Sequence, residues 1–110
     1  MADFKDRETA FEAKFAFDEE TKFKMMARRN RLLGLWAAEQ MGLADNQADA
    51  YAREVISADL QEAGEEDVYR KIAGDFAAKG VDASEHRIRR EMAAMLDLAR
   101  DQILAAKTKK

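Results

Sequence analysis

The chain has no cysteine and no proline, and it has only five glycines, one tryptophan and one histidine. Without cysteine there are no disulfides and no thiolate chemistry, and a single histidine leaves little from which to build a transition-metal site. Without proline, and with no glycine before Gly34, nothing interrupts a helix in the first third of the chain. We therefore expect a helical protein with no metal centre and no cofactor.

Long apolar runs are also absent, since no segment approaches the ~18 apolar residues that can span a bilayer. The N-terminus carries Asp3 and Asp6, unlike a secretory signal or a transit peptide. Acids and bases are interleaved with a net charge of −3, which gives no overall attraction to nucleic acid or to an anionic membrane. We expect a soluble intracellular protein that neither enters a membrane nor binds nucleic acid, and that recognises a partner through a local surface.

The residues that are present favour one all-α domain: of 110 residues, 47% are hydrophobic and 37% charged. Apolar residues recur at helical spacing in four stretches separated by short turns. These predict helices over about 19–41, 46–62, 66–79 and 83–106. Because such helices can bury their stripes only against each other, the predicted fold is a four-helix bundle over 19–110, preceded by a flexible N-terminal arm over 1–18.

Helical spacing also predicts which residues form the core. In the first helix these are Met25, Met26, Leu32, Leu33, Trp36 and Ala37, and in the second Ala48, Tyr51, Ala52, Val55, Ile56 and Leu60. In the third they are Val68, Ile72 and Phe76, and in the fourth Ile88, Met92, Met95, Leu96, Ala99 and Ile103. Gly42, Gly64 and Gly80 are the predicted helix stops.

Three further positions carry structural expectations. Gly34 lies inside a helix, where it costs ~1 kcal/mol relative to alanine, so we expect another backbone to approach it closely. Arg29 lies in the apolar sector, where its guanidinium must find a carboxylate or the end of the bundle. Asp82 is the predicted N-cap of the fourth helix, with Glu85 reaching back to complete a capping box.

The arm has its own pattern. Phe4, Phe11 and Phe15 share one helical face, with Arg7 and Lys14 beside them. Burying three phenylalanines contributes at most ~5–9 kcal/mol, whereas fixing ~15 backbones costs ~1–2 kcal/mol each, so the free arm has no reason to be ordered. The pattern is typical of a segment that folds as a helix in a partner's groove. The alternative is that these phenylalanines cap one end of the bundle.

Several stretches resemble a known family. They are FKDRETAFEAKFA at 4–16, ARRNRLLGLWAAE at 27–39, YAREV at 51–55 and DASEHRIRR at 82–90. Together they resemble the zeta subunit of alphaproteobacterial F-type ATP synthases, an ATPase inhibitor family. The resemblance covers essentially the whole chain.

The resemblance implies a non-catalytic inhibitory subunit. Its N-terminal helix would insert at the catalytic α/β interface of the synthase, reach toward the central rotor and block ATP hydrolysis. By position, the inserting residues that bind the partner are Phe4, Arg7, Phe11, Lys14 and Phe15. The implied location is the cytoplasm, peripheral to the inner membrane through the synthase, with a monomeric free protein.

A second function is possible for a basic helix face. Lys24, Arg28 and Arg31 share one side of the first helix, which could serve a helical module that binds nucleotide or nucleic acid. A solvated face is the simpler interpretation. His86 is predicted to be a surface histidine, and no phosphate loop, nucleophile elbow or supported pair of catalytic acids is present, so we expect no enzyme activity.

Overall fold

Four helices form the part of the chain that our computed structural model describes, residues 19–59 and 65–108. They are α1 (Glu19–Gln40), α2 (Asp45–Asp59), α3 (Glu66–Lys79) and α4 (Glu85–Thr108). This part contains no strand, so the predicted all-α four-helix fold is confirmed. None of its helices is long and apolar enough to cross a membrane. The predicted arm, Leu60 and Gly64 lie outside the described residues.

The helices pack in a ring, in which α1 and α3 each contact α2 and α4. The packing of α1 against α2 and α4 is the most extensive. Arg28 bonds to Gln102 near the end of α4, while Trp36 lies beside Arg87 near its start. Helices α1 and α4 are therefore antiparallel.

All four helices contribute to the core. The buried apolar residues are Leu33, Ala37, Ala38, Tyr51, Ala52, Val55, Val68, Ile72, Phe76, Ile88, Met92 and Ala99. The predicted stripe of α3 is buried in full. In α2 and α4 the predicted face is correct at its centre, but Ala48, Ile56, Met95, Leu96 and Ile103 are only partly buried.

The predicted inward face of α1 is partly wrong. Leu33 and Ala37 are buried as expected, but Met25, Met26, Leu32 and Trp36 are only partly buried. The buried positions of α1 also include polar and small residues that the apolar pattern did not select, namely Thr21, Asn30, Gly34 and Ala38. The buried face is turned towards α2, because that helix packs directly against the backbone of α1.

Gly34 makes this close packing possible. A Cβ atom placed on Gly34 would lie 2.6 Å from the Cα of Ala52 and 3.3 Å from a methyl group of Val55. No side chain fits in that space, so the predicted close approach of another backbone is confirmed. The crossing of α1 and α2 therefore requires glycine at this position.

The helix ends follow local backbone rules with one correction. Gly42 and Gly80 have φ angles of 79° and 75°, in the left-handed region that favours glycine, and end α1 and α3 as predicted. The predicted N-cap of α4 is wrong: the Oγ of Ser84, not Asp82, accepts the backbone N–H of Arg87 at 3.1 Å. The cap lies two residues later because α4 begins at Glu85.

Candidate functional site

The residues predicted to bind a partner, Phe4, Arg7, Phe11, Lys14 and Phe15, lie outside the described residues. The structure does describe the start of α1, which they adjoin. Glu19 and Glu20 occupy its first turn, where negative charge favours a helix N-terminus. Glu20 also lies 3.3 Å from Lys24, one turn further along the helix. This end of α1 is thus built from local interactions that favour helix directly after the arm.

The apolar surface near this end is small. Phe23 is 58% exposed, the highest value among the large hydrophobic residues of the described part. It borders a cavity of about 30 Å³ between α1 and the end of α2, lined by Met26, Ala27, Asn30, Ile56 and Asp59. A volume of this size holds no more than a small group, so it is not a ligand pocket.

The basic face of α1 is largely matched by other side chains of the same chain. Arg28 donates to the Oε1 of Gln102 at 2.7 Å, and Arg31 lies 3.6 Å from the Oδ1 of Asp49. Lys24 is paired with Glu20. Arg28 and Arg31 thus tie α1 to α4 and to α2 respectively. These contacts favour a structural role over a phosphate-binding surface.

A polar network that the sequence analysis did not single out joins α2 to α3. Tyr51 donates its hydroxyl to the Oδ2 of Asp75 at 2.7 Å. Lys71 donates to the same oxygen at 3.0 Å and to the Oε1 of Glu54 at 2.9 Å. Its ammonium also lies 5.0 Å from the centroid of the Tyr51 ring. The one indication of this network in the sequence is the i,i+4 spacing of Lys71 and Asp75, which many solvent-exposed pairs share.

The network shifts the protonation of two of its members. Burial raises the pKa of the Tyr51 hydroxyl, and the hydrogen bond to Asp75 and the charges of Asp75 and Glu54 raise it further. Burial alone would lower the pKa of Lys71, but its hydrogen bonds to Glu54 and Asp75 outweigh this and raise it. Both groups are therefore held in their protonated forms at neutral pH, which suits a structural tie and not a general base.

A surface cleft of about 190 Å³ adjoins this network. Its lining residues are Met41, Leu43, Tyr51, Glu54, Asp75, Ala78 and Lys79. The carboxylates that face it already bond to Lys71 or Tyr51. Among the described residues, no group of His, Cys, Asp or Glu is arranged to hold a metal ion. The cleft offers no activated nucleophile, so the arrangement does not resemble an active site.

Arg29 is the most unusual charged residue of the described part, since its side chain is fully buried. Its Nε donates to the Oδ1 of Asn30 at 2.7 Å, and its Nη1 lies 3.9 Å from the Oε2 of Glu65. Within residues 19–59 and 65–108 neither Nη atom has a hydrogen-bond partner. Burial lowers the pKa of Arg29, and the charges of Glu65 and Asp59 oppose that shift. The expected carboxylate is therefore present, but at the edge of contact.

Comparison with known proteins extends to residues that the structure does not describe. The model of the family described as ATPase inhibitor subunit zeta matches residues 1–102. That match includes the predicted arm and three of the four helices completely. The chain belongs to this family.

A solved structure agrees with the fold. The protein, determined by solution NMR, is 42% identical, has a TM-score of 0.69, and its match covers 77% of this chain and 96% of that one. A comparison with curated proteins found no match. The zeta family is a family of ATPase inhibitor subunits, so membership supports an inhibitory, regulatory role, and the ATPase that such subunits regulate is the implied partner.

Proposed function

We propose that this zeta-family chain inhibits ATP hydrolysis by F-type ATP synthase by inserting residues 1–18 as a helix at the catalytic α/β interface. The observation that carries the proposal is the family match, which begins at residue 1 and so includes the arm. In this proposal the folded bundle positions the arm, which directly precedes α1 in the chain. We place the partner contacts at Phe4, Arg7, Phe11, Lys14 and Phe15.

The helical phase of α1 supports an inserted helix. Continued back from Glu19 at 100° per residue, it puts Phe4, Phe11 and Phe15 on the same face as Leu33. Leu33 is buried in the bundle. A continuous helix would therefore carry one apolar face out of the bundle, and that face needs a second protein to cover it.

The energetics of ordering the arm support a mechanism for this inhibition. The arm alone cannot offset the entropy of ordering, so it becomes helical only where a partner desolvates the three phenylalanines. A helix lodged between catalytic subunits must bind one conformation of their interface more tightly than the others. Inhibition is then a population shift, and its depth is limited by that difference in affinity.

The test replaces all three phenylalanines of the stripe, Phe4, Phe11 and Phe15, with alanine. If two of them are hot spots of ~2 kcal/mol each, binding weakens by roughly a thousandfold while the melting of the bundle is unchanged. Phe17→Ala is the matched control, because residue 17 lies about 160° from Phe15 on the helical wheel, off the stripe. ATP hydrolysis by purified catalytic sector is titrated with each protein, and circular dichroism melts are recorded.

Two outcomes would contradict the proposal. Equal inhibition by the wild-type and triple-alanine proteins would remove the arm from the mechanism. A triple-alanine protein whose bundle melts much earlier would place the phenylalanines in the core.

Charge reversal at Arg7 and Lys14 should weaken inhibition to a smaller extent, and the effect should shrink as salt is added.

A further inference from the structure

The first two turns of α4 carry positive charge that the described part of the chain does not neutralise. Arg87 and Arg90 are exposed, and neither forms an ion pair with a described residue; His86 beside them is also exposed. Arg89, between them, differs: it bonds to Glu85 at 2.8 Å and Glu66 at 3.1 Å. It also lies 4.2 Å from the ring centroid of Tyr69. One arginine is thus used to hold the bundle together, and its neighbours are not.

The placement of Arg87 is unfavourable within the chain itself. The N-terminal end of a helix carries partial positive charge, so a cation in the first turn of α4 reduces the stability of that helix. Residues that lower the stability of the fold without a compensating gain are expected at functional sites, including those that bind a partner. The unpaired charge of Arg87, with that of Arg90 three residues later, therefore points to a contact outside the bundle.

Arg87 lies beside the only tryptophan of the chain, Trp36. Arg90 is one turn from both His86 and Arg87, so the three lie on one face of α4. The guanidinium of Arg87 lies 5.8 Å from the ring centroid of Trp36. We call Trp36, His86, Arg87 and Arg90 the α4 basic surface.

Trp36 has the properties of a binding residue. One side of its ring packs against Phe76, at 5.7 Å between centroids and an angle of 56°, yet the residue is only partly buried. Tryptophan and arginine are the residue types most enriched in binding hot spots. A tryptophan anchored from behind and flanked by an arginine keeps its position before a partner arrives, which lowers the entropic cost of binding.

The nearby acidic residues do not pair with the arginines of this surface. Glu91 is four residues after Arg87 on α4, and Glu39 is three residues after Trp36 on α1. Neither is paired with Arg87 or Arg90 in the described structure. Carboxylates from another protein can therefore reach both guanidinium groups.

We propose that the α4 basic surface docks the bundle onto an acidic protein surface of the ATP synthase catalytic sector, with carboxylates against Arg87 and Arg90 and an apolar recess for Trp36. This inference rests on the proposed function, and it assigns the bundle a binding role separate from that of the arm. A docked bundle raises the effective concentration of the arm at its site. Two arginines with an aromatic anchor suit a small protein contact better than a nucleic acid, which needs many phosphate contacts.

The test reverses the charge of both arginines, Arg87→Glu and Arg90→Glu, in the full chain. The matched control is Arg53→Glu with Arg70→Glu, which changes the net charge equally on exposed positions of α2 and α3. Binding to purified catalytic sector is measured by the fluorescence of Trp36 and by sedimentation, at low and high salt. Melts are recorded for every protein.

We expect the Arg87/Arg90 variant to bind at least about tenfold more weakly than the control variant, and to lose most of the salt dependence of the wild type. It should melt no earlier than the wild type, because acids suit a helix N-terminus. Weaker binding without lower stability separates a docking role from a structural one.

Other results overturn the inference. If both variants bind alike, charge at this surface is irrelevant. If the wild type binds vesicles of phosphatidylcholine and phosphatidylglycerol, and the Arg87/Arg90 variant loses only that binding, the surface recognises lipid and not protein. A wild type that does not bind the catalytic sector removes both this inference and the proposed function. If the triple-alanine arm variant still inhibits, the proposed mechanism of the arm fails. The comparison of the two arginine variants still tests the docking surface in that case.

Discussion

The two halves of α1 differ in what they bury. The C-terminal half places Leu33, Gly34, Ala37 and Ala38 in the core, where small side chains let α2 approach closely. The N-terminal half buries Thr21 and Arg29, with Asn30 at the boundary between the halves, and it leaves Phe23 largely exposed. One half is packed like a protein interior. The other half is polar inside and partly apolar outside.

This difference places most of the contribution of α1 to stability in its C-terminal half. Apolar burial with tight packing supplies most of the free energy of folding, so the C-terminal half of α1 holds the bundle together. A buried guanidinium costs desolvation energy that its partners rarely exceed, so the N-terminal half contributes little. The half of α1 that adjoins the arm is thus the half on which the fold depends least.

Leu33→Ala should have the largest effect, because it leaves a cavity in the tightly packed half. We expect the free energy of unfolding to fall by ~2–5 kcal/mol in urea denaturation followed by circular dichroism. A loss below ~1 kcal/mol would mean that this half is not the stability centre.

Gly34→Ala tests the tight packing of the C-terminal half of α1, because helix propensity and steric clash change the stability in opposite directions. Alanine favours a helix by ~1 kcal/mol over glycine, but the added Cβ would meet the Ala52 Cα at 2.6 Å, so we expect a net loss of ~1–3 kcal/mol. The control is Gly74→Ala in α3, where a Cβ has no neighbour within 4 Å and a gain of up to ~1 kcal/mol is expected. Shifts of the same sign at both glycines would contradict the close crossing of α1 and α2.

Alkaline pH should weaken the polar network that joins α2 to α3. The pKa of Tyr51 is raised in the folded state above its ordinary value of 10.0, so its contribution is complete below about pH 10 and is lost as pH rises further. Lys71, whose pKa is also raised, acts in the same direction. Tyr51→Phe should cost ~1 kcal/mol at pH 7 and make the decline above pH 10 less steep, as measured by urea unfolding across that range. An unchanged slope would show that Tyr51 does not titrate with folding.

Phe23→Ala should have the smallest effect. Because its side chain is 58% exposed, we expect the free energy of unfolding to change by less than ~0.5 kcal/mol in the same urea assay. A loss as large as that at Leu33 would show that the N-terminal half of α1 is as tightly packed as the other, and would remove the contrast between them.

The sequence alone determined the features that depend on spacing along one segment. Helical period identified four helices and the full stripe of α3, and glycine marked the ends of α1 and α3. The cost of glycine inside a helix predicted the close approach at Gly34. The motifs at 4–16 and 27–39 indicated the family before any coordinates did. Apart from the family resemblance, each of these features follows from a rule that operates within a few turns of one chain segment.

Only the tertiary structure decided how the helices face each other. The rotation of α1 towards α2 buried Asn30 and left Trp36 partly exposed, and it set Arg29 at the edge of contact with Glu65. The network of Tyr51, Lys71 and Asp75 arises where two helices meet at a particular height, and the surface of Trp36 with Arg87 joins residues distant in sequence. Helical period gives a face to within about one residue, whereas contacts between side chains change with a fraction of a turn, so only the packed bundle could specify them.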